Sequence, residues 1–304
     1  MACLISLCIP TNGVSQWIFP VLDSIFAQGI EETLFEVIVI DDGNNESFYE
    51  KMTDYCAGHS NIVYEKANTP LFQNEIEAYK RAGGEFIKFI NHRTVLRQGT
   101  LAEYISFIQK YRDSKPIVYF ANGTVRQKEE VCEYCSFDEY VKNLSIRTSW
   151  STGMGFWRED FEKIPKDTVY NELFPHTKVL FHERKREKYV IDNRRLLDEM
   201  PEGNIPKGAY DVFYAFAVEY PAILCDLLRS KDISADTFLS VKKDTLEFVM
   251  EQYFAYVVRK RPCSYDTSTF EKSIRIFYSR AEASACLRRL TWKHIKEKFC
   301  KKSR

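Results

Sequence analysis

Two polar clusters in the first hundred residues stand at the ends of short apolar runs, and their side chains are of kinds that bind and react. Asp41-Asp42-Gly43 closes the run Phe35 to Ile40, and Asn91-His92-Arg93-Thr94 closes the run Phe86 to Ile90. Adjacent carboxylates at a strand end, with a glycine to permit a tight turn, can accept hydrogen bonds from a base and a ribose. The same residues also suit an Asx turn that caps a following helix. In the second cluster Arg93 can bind a phosphate bidentately, whereas Asn91 and His92 can ligate a metal ion weakly. A hydrogen-bonded loop histidine is the plainer account of His92.

These clusters need elements to hold them. Leu4 to Ile9 reads as a central strand broken by Pro10-Thr11-Asn12-Gly13. Ser15 can cap the helix that follows, where Trp17, Val21, Leu22, Ile25 and Phe26 keep helical spacing and Gly29 marks the end. Phe35 to Ile40 is a second buried strand, Ser47 to Cys56 a helix, Ile62 to Glu65 a third strand and Glu75 to Arg81 a helix. Gly83-Gly84 turns into the fourth strand, and a helix pattern returns over Leu101 to Tyr111. Pro116 to Ala121 and Tyr189 to Ile191 read as further strands, Trp150 to Phe161 as a loop lying against a ligand, while Thr124 to Ser149 gives no clear pattern. Strands alternating with helices at this spacing predict parallel βαβ units and a doubly wound sheet, with its ligand crevice at the carboxyl ends of the strands.

Beyond the Pro/Gly-rich stretch Pro201 to Gly208, helical patterns cover Tyr210 to Leu228, Ser234 to Arg259 and Thr269 to Phe299. The expected division is an α/β domain over residues 1–200 and a helical region over 201–304. Lys+Arg and Asp+Glu both number 43, so no net field draws the chain to nucleic acid. The nine cysteines are odd in number and include one isolated Cys132-x-x-Cys135 pair, which suits reduced thiols. No segment reaches the roughly 18 apolar residues needed to span a bilayer, and the chain opens on a strand pattern without a charged leader. A cytoplasmic protein is the expectation.

The runs Leu4 to Gly13, Leu22-Asp23-Ser24-Ile25-Phe26-Ala27-Gln28 and Phe35 to Gly43 together closely resemble the family-2 glycosyltransferases of GT-A fold. Gly84 to Leu101 matches their fourth-strand motif in length and spacing and ends in the same Gly-x-Leu entry to a helix. The turn Pro10-Thr11-Asn12-Gly13 is similar to that of the branch that builds bacterial capsule and lipopolysaccharide repeat units. The resemblance implies a Rossmann-like domain, a mostly parallel sheet flanked by helices, followed here by a C-terminal helical extension. It further implies inverting transfer of a hexose from a nucleotide sugar, a UDP-sugar, to a saccharide or lipid-linked saccharide acceptor in surface-polysaccharide synthesis. Pro10 and Thr11 would contact the base through their backbone, Asp42 would hold the uracil and Asp41 would support it.

At the diphosphate the chain departs from the family. Relatives carry Asp-x-Asp-Asp at the end of the fourth strand, where carboxylates hold divalent Mg or Mn. Asn91, His92, Arg93 and Thr94 stand there instead, with no carboxylate. Arg93 could replace the metal's charge, or Asn91 and His92 could hold a metal with help from elsewhere. The third option is a scaffold that binds nucleotide sugars or glycans without turnover. On the preceding helix, the relatives' Arg-Asn pair meets Glu75 and Ile76, with Gln73-Asn74 two residues early.

Inverting transfer needs a general base for the acceptor hydroxyl. Relatives place an Asp before a helix in the region of Tyr170 to Thr177, and this chain offers His176 nearest that register, with Glu172 one turn earlier to orient it. Alternatively His176 caps the helix from Thr177 to His182. Trp150, Gly153 and Trp157 would contact the acceptor sugar, because aromatic rings stack on sugar faces and glycines admit backbone amides, although core packing accounts for such aromatics too. Past Arg288, Lys and Arg outnumber Glu297, and Trp292, Ile295 and Phe299 share a stripe. That helix is either solvated or rests peripherally on the anionic inner membrane.

Overall fold

The computed structural model describes residues 3–69, 71–201 and 208–302, with side chains up to Lys296 in the last helix. Glu202 to Lys207 of the expected linker, and the side chain of Phe299, lie outside the described residues. The chain divides after Pro201 into two compact units.

In the first unit β1 (Ile5–Thr11), β2 (Phe35–Asp41), β3 (Ile62–Lys66) and β4 (Phe86–Phe89) are parallel neighbours in the order β3-β2-β1-β4. All but β3 are nearly continuous apolar runs, as strands covered on both faces must be. The covering helices are α1 (Ser15–Phe26), α2 (Glu46–Ala57), α3 (Asn74–Arg81) and α4 (Thr100–Tyr111). Because the chain runs outward from β1 to β3 and then returns to the other side of β1, the sheet reverses direction between β1 and β4. Ligands of such sheets enter at that crevice. Registry brings Thr11 opposite Asp41 and Cys8 opposite Phe89, so the three carboxyl ends finish side by side.

Beyond β4, the antiparallel pair β5 (Thr94–Leu96) and β10 (Leu197–Glu199) stands apart from the main sheet. The sheet continues through β8 (Met154–Trp157), β6 (Ile117–Phe120), β9 (Tyr189–Asp192) and β7 (Val131–Tyr134). β8 runs antiparallel to β4 and β6, and β7 antiparallel to β9. The region without a sequence pattern thus supplies β7 and α5 (Phe137–Leu144), the latter capped by Ser136. Two expectations change. Ser15 is the first residue of α1 and Val14 precedes it without a side-chain cap. Met154–Trp157, expected within a ligand-facing loop, is a buried strand whose Gly155 admits the Phe86 and Phe120 rings, since a Cβ would lie 2.9 and 2.7 Å from them. The short helices α6 (Arg158–Glu162) and α7 (Pro175–Leu180) complete this unit.

The second unit is helical: α8 (Val212–Tyr214), α9 (Tyr220–Arg229), α10 (Ala235–Gln252), α11 (Phe270–Phe277) and α12 (Arg280–Lys302). Asp211 caps α8 and accepts the Thr269 hydroxyl at 2.6 Å. Among the described residues no helix is long and apolar enough to cross a membrane.

One contact locks β1 to the entry of β4. Ser6 donates its hydroxyl to Glu36 at 2.6 Å and accepts the Gly84 N–H at 2.8 Å, and Glu36 also accepts the Gly83 N–H at 2.6 Å. A Cβ on Gly84 would lie 2.7 Å from the Ser6 backbone nitrogen and 2.8 Å from the Ile5 carbonyl carbon. Strand backbone in mid-sheet cannot yield cheaply. Gly84→Ala should therefore cost about 1–3 kcal/mol, read as a lower urea midpoint at unchanged slope. An unmoved midpoint would show that β1 and β4 separate there without penalty.

Candidate active site

Asp41 ends β2 with no exposed surface, and its carboxylate is saturated from within. It accepts the Gly43 N–H at 2.8 Å, the Tyr64 hydroxyl at 2.9 Å and Lys66 Nζ at 2.9 Å. These bonds tie the carboxylate to β3 and to the turn after β2. Asp42 is left half-buried at the edge, its N–H donating to the Thr11 carbonyl at 3.1 Å. Burial, with Asp41 alongside, raises its carboxyl to about 6. At neutral pH most of it remains an anion.

Across the crevice from Thr11 lie the residues after β4. His92 Nδ1 sits 3.1 Å from the Thr11 hydroxyl, and its ring lies 5.0 Å from that of Trp17 on α1. Burial and the neighbouring Arg93 cation hold the imidazole down to about 3, so it is neutral. The Arg93 guanidinium packs over the same tryptophan at 5.1 Å. Its Nε is buried without a partner, and no carboxylate pairs with it among the described residues. Asn91 turns inward, accepting the Arg93 N–H at 3.0 Å, and its carbonyl takes the Thr94 hydroxyl at 3.0 Å. Pro10, Thr11, Asp42, His92 and Arg93 are thus gathered at one crevice.

A divalent cation does not fit these donors. The Asn91 oxygen is already engaged, His92 faces Thr11, Arg93 contributes positive charge, and no carboxylate stands at the end of β4. Hard cations demand oxygen ligands, mainly carboxylates. No cluster of three or more His, Cys, Asp or Glu able to hold a metal occurs among the described residues.

The expected acceptor side is rearranged by burial. Trp157 is 1% exposed, donates its indole N–H to the Pro116 carbonyl at 3.0 Å and meets Phe86 edge-on at 5.1 Å. It is a core residue and has no face free for a sugar. Gly153 is buried because Tyr119 needs its space: a Cβ would lie 2.1 Å from that ring. Trp150 is half-buried with the Arg147 guanidinium 4.3 Å above its ring. His176, expected as the base, is 1% exposed; its Nε2 lies 3.1 Å from the Thr148 carbonyl and its Nδ1 3.2 Å from the Ser151 hydroxyl. Both ring nitrogens are occupied, and burial lowers the imidazole to about 4. The carboxylate it meets is Glu75, at 3.7 Å, whereas Glu172 is exposed on the loop before α7.

The profile of glycosyl transferase family 2 matches residues 6–165, more than half of the chain, and the chain belongs to that family. No curated protein sequence gives a significant match. Among solved structures, S. aureus TarS 1–349 is similar at a TM-score of 0.54 and 16% identity, covering 90% of this chain and 76% of that one. Its complex with UDP aligns at 0.53 and 16%, over 84% and 73%. The Pyrobaculum calidifontis mannosyltransferase PcManGT, in complex with GDP-Man and Mn2+, aligns at 0.54 and 12%, over 96% and 88%. At such identities the likeness establishes a GT-A-like fold.

Sequence reading missed two buried ionisable groups beside the crevice, Glu75 and Lys88. Each sat within a regular helical or strand pattern that gave no sign of its burial. Lys88 is wholly enclosed in β4, donating to the carbonyls of Phe89 at 2.7 Å and Thr152 at 2.9 Å, and burial lowers it to about 7. An unfolded lysine keeps its proton to about 10.4. Between those values the unfolded state binds more protons, so the Lys88 contribution to stability rises with pH by up to about 1.4 kcal/mol per unit. Paired urea titrations of wild type and Lys88→Met from pH 7 to 9 should diverge in favour of wild type. Parallel curves would mean that Lys88 stays charged inside the fold.

Proposed function

We propose that the chain transfers a hexose from a UDP-sugar to a saccharide or lipid-linked saccharide acceptor, with inversion and without a carboxylate-held metal. The observation that carries this reading is the pairing of functions at the crevice: an unpaired Arg93 guanidinium at the end of β4 and an uncommitted Asp42 carboxylate at the end of β2. Asp42 accepts the imide N–H of uracil, supported by Asp41, while Pro10 and Thr11 line the base through their backbone. Arg93 neutralises the diphosphate in the leaving group, a task for which its planar fork is suited. The UDP bound to TarS, on a similar fold, supports the choice of uridine.

An in-line attack needs a group to take the acceptor proton. Glu172 has the exposure that this requires, and His176 buttresses the loop from below. Trp150, with one face against Arg147, serves as the acceptor platform. The Pro10-Thr11-Asn12-Gly13 turn supports a role in surface-polysaccharide synthesis in the cytoplasm. Trp292, 65% exposed on α12 among Arg288, Lys293 and Lys296, supports peripheral contact with an anionic membrane. A non-catalytic nucleotide-sugar or glycan-binding protein is favoured by one observation, the enclosure of His176, and would bind UDP-sugars yet release no UDP on addition of saccharides.

Calorimetric titration with UDP tests the donor site. Binding is expected in EDTA at micromolar affinity, unchanged by Mg2+ or Mn2+, and Arg93→Ala should weaken it about 10- to 100-fold, the span for bonds to charged groups. Binding that appears only with metal would refute the Arg93 assignment. Asp42 gives a pH signature. Protonation removes the charge that strengthens the bond from the uracil N–H, so affinity should be flat above pH 7 and fall as pH drops through about 6. Asp42→Asn should lack that fall. Because the nucleotide's own phosphate titration is common to both proteins, identical pH profiles would exclude Asp42 from the base site.

A further inference from the structure

Three polar residues meet beside the crevice without a part in holding the nucleotide: Glu75 near the start of α3, His176 near the start of α7, and Ser151 in the turn before β8. Glu75 is 2% exposed, and its Oε1 lacks a hydrogen-bond partner. The groups facing its carboxyl are the Ser151 hydroxyl, the His176 backbone N–H and, at 3.7 Å, His176 Nδ1.

The direction of the protons follows from the end of the chain. The Thr148 carbonyl can only accept, so His176 Nε2 carries its hydrogen. In a neutral imidazole Nδ1 is then the acceptor, and Ser151 gives it the hydroxyl proton across 3.2 Å. Burial keeps both ionisable members uncharged near neutrality, raising Glu75 to about 8 and lowering His176 to about 4. A neutral carboxyl has one O–H to give, and Ser151 Oγ is the acceptor that faces it. Donors therefore run from Ser151 to His176 to Thr148, with the Glu75 carboxyl facing Ser151 from the enclosed side. Ser151, half-buried where Glu75 and His176 are enclosed, has spent its proton on His176 and its oxygen keeps acceptor capacity.

The turn that presents this oxygen is clamped. Lys88 Nζ holds the Thr152 carbonyl, and the Tyr119 hydroxyl donates to the carbonyls of Trp150 at 2.8 Å and Arg147 at 2.6 Å. Antiparallel pairing sets Lys88 opposite Gly155, so the residues preceding β8 run beside the carboxyl end of β4. Next to Glu75, Asn74 reaches the Thr11 carbonyl at 3.5 Å. Ser151 thus stands on the same edge as the donor crevice.

We propose that Ser151 Oγ accepts a hydrogen bond from a hydroxyl of the donor's hexosyl group, and that Glu75 and His176 are positioning residues which fix Ser151 in that sense. The inference rests on the reading of the chain as a UDP-sugar-dependent transferase. It assigns a selectivity position for a sugar that presents a hydroxyl there, distinct from the nucleotide contacts of Asp42 and Arg93.

The test compares UDP with a panel of UDP-hexoses by calorimetry on the full chain. Ser151→Ala should leave UDP affinity unchanged and weaken the preferred UDP-hexose about fivefold, the size of one neutral hydrogen bond. Glu75→Gln keeps an N–H donor toward Ser151 and should retain hexose affinity, whereas Glu75→Leu should show the same selective loss as Ser151→Ala. A merely structural role would lower UDP and UDP-hexose binding together in both Glu75 variants. Equal loss for the two ligands, or no loss for either in Ser151→Ala, would overturn the assignment. Failure of the wild type to bind UDP at all is a different result; it removes the donor reading and the inference with it.

Discussion

The enclosed carboxylate of Asp41 is the constraint from which the crevice follows. Taking a carboxylate out of water costs several kcal/mol unless it is paired and fully hydrogen-bonded. Gly43, Tyr64 and Lys66 supply the three donors that meet this requirement. Two of them lie on β3 and one on the turn after β2, so the same bonds hold β2 to β3 and fold the chain back immediately after Asp42. Only glycine fits at the reversal, since a Cβ at position 43 would sit 2.2 Å from the Asn12 carbonyl oxygen. Asp42 is thereby held at the edge while its neighbour is consumed. Two adjacent aspartates of identical chemistry acquire opposite roles from burial alone.

The end of β4 shows the same economy with the sign reversed. Where relatives place acids, this chain has a neutral imidazole and a cation that share one tryptophan. His92 cannot add positive charge because burial and Arg93 both oppose its protonation. Arg93 therefore remains the local cation, with part of its guanidinium already desolvated and so costing less to bring against a phosphate. An acidic motif needs a metal to become attractive to a diphosphate; this cluster carries a positive charge as it stands.

Much of this was legible in the sequence. The apolar runs gave β1 to β4, because strands covered on both faces show no alternation to misread, and the Asp-Asp-Gly and Asn-His-Arg-Thr endings fell at their carboxyl ends. Burial was not legible. Gly153 and Trp157 resembled a sugar platform, yet small residues beside aromatics arise equally when rings interlock across a sheet, as Tyr119 does over Gly153 and Phe86 and Phe120 do over Gly155. The burial of Glu75 and Lys88 was not legible because a single charged side chain in a regular pattern does not disclose which long-range neighbours enclose it. For His176, the sequence neighbour Glu172 was paired with it by spacing, whereas the fold brings Glu75, a hundred positions away, into that place.

These buried groups also sharpen the field at the crevice. Glu75 and His176 are uncharged near neutral pH, Lys88 is close to losing its proton, and Asp41 is compensated by Lys66. Charge without a direct ion-pair partner is left to Asp42, mostly anionic at neutral pH, on one side and Arg93 on the other. Like charges nearby would have blurred that contrast, since interactions in a partly desolvated site are screened far less than in water. The proposed ligand has an imide donor at one end for Asp42 and a diphosphate further along for Arg93. On the proposed reading, a neutral interior leaves discrimination among sugars to directional hydrogen bonds, for which a hydroxyl of fixed polarity such as that of Ser151 is better suited than a charge.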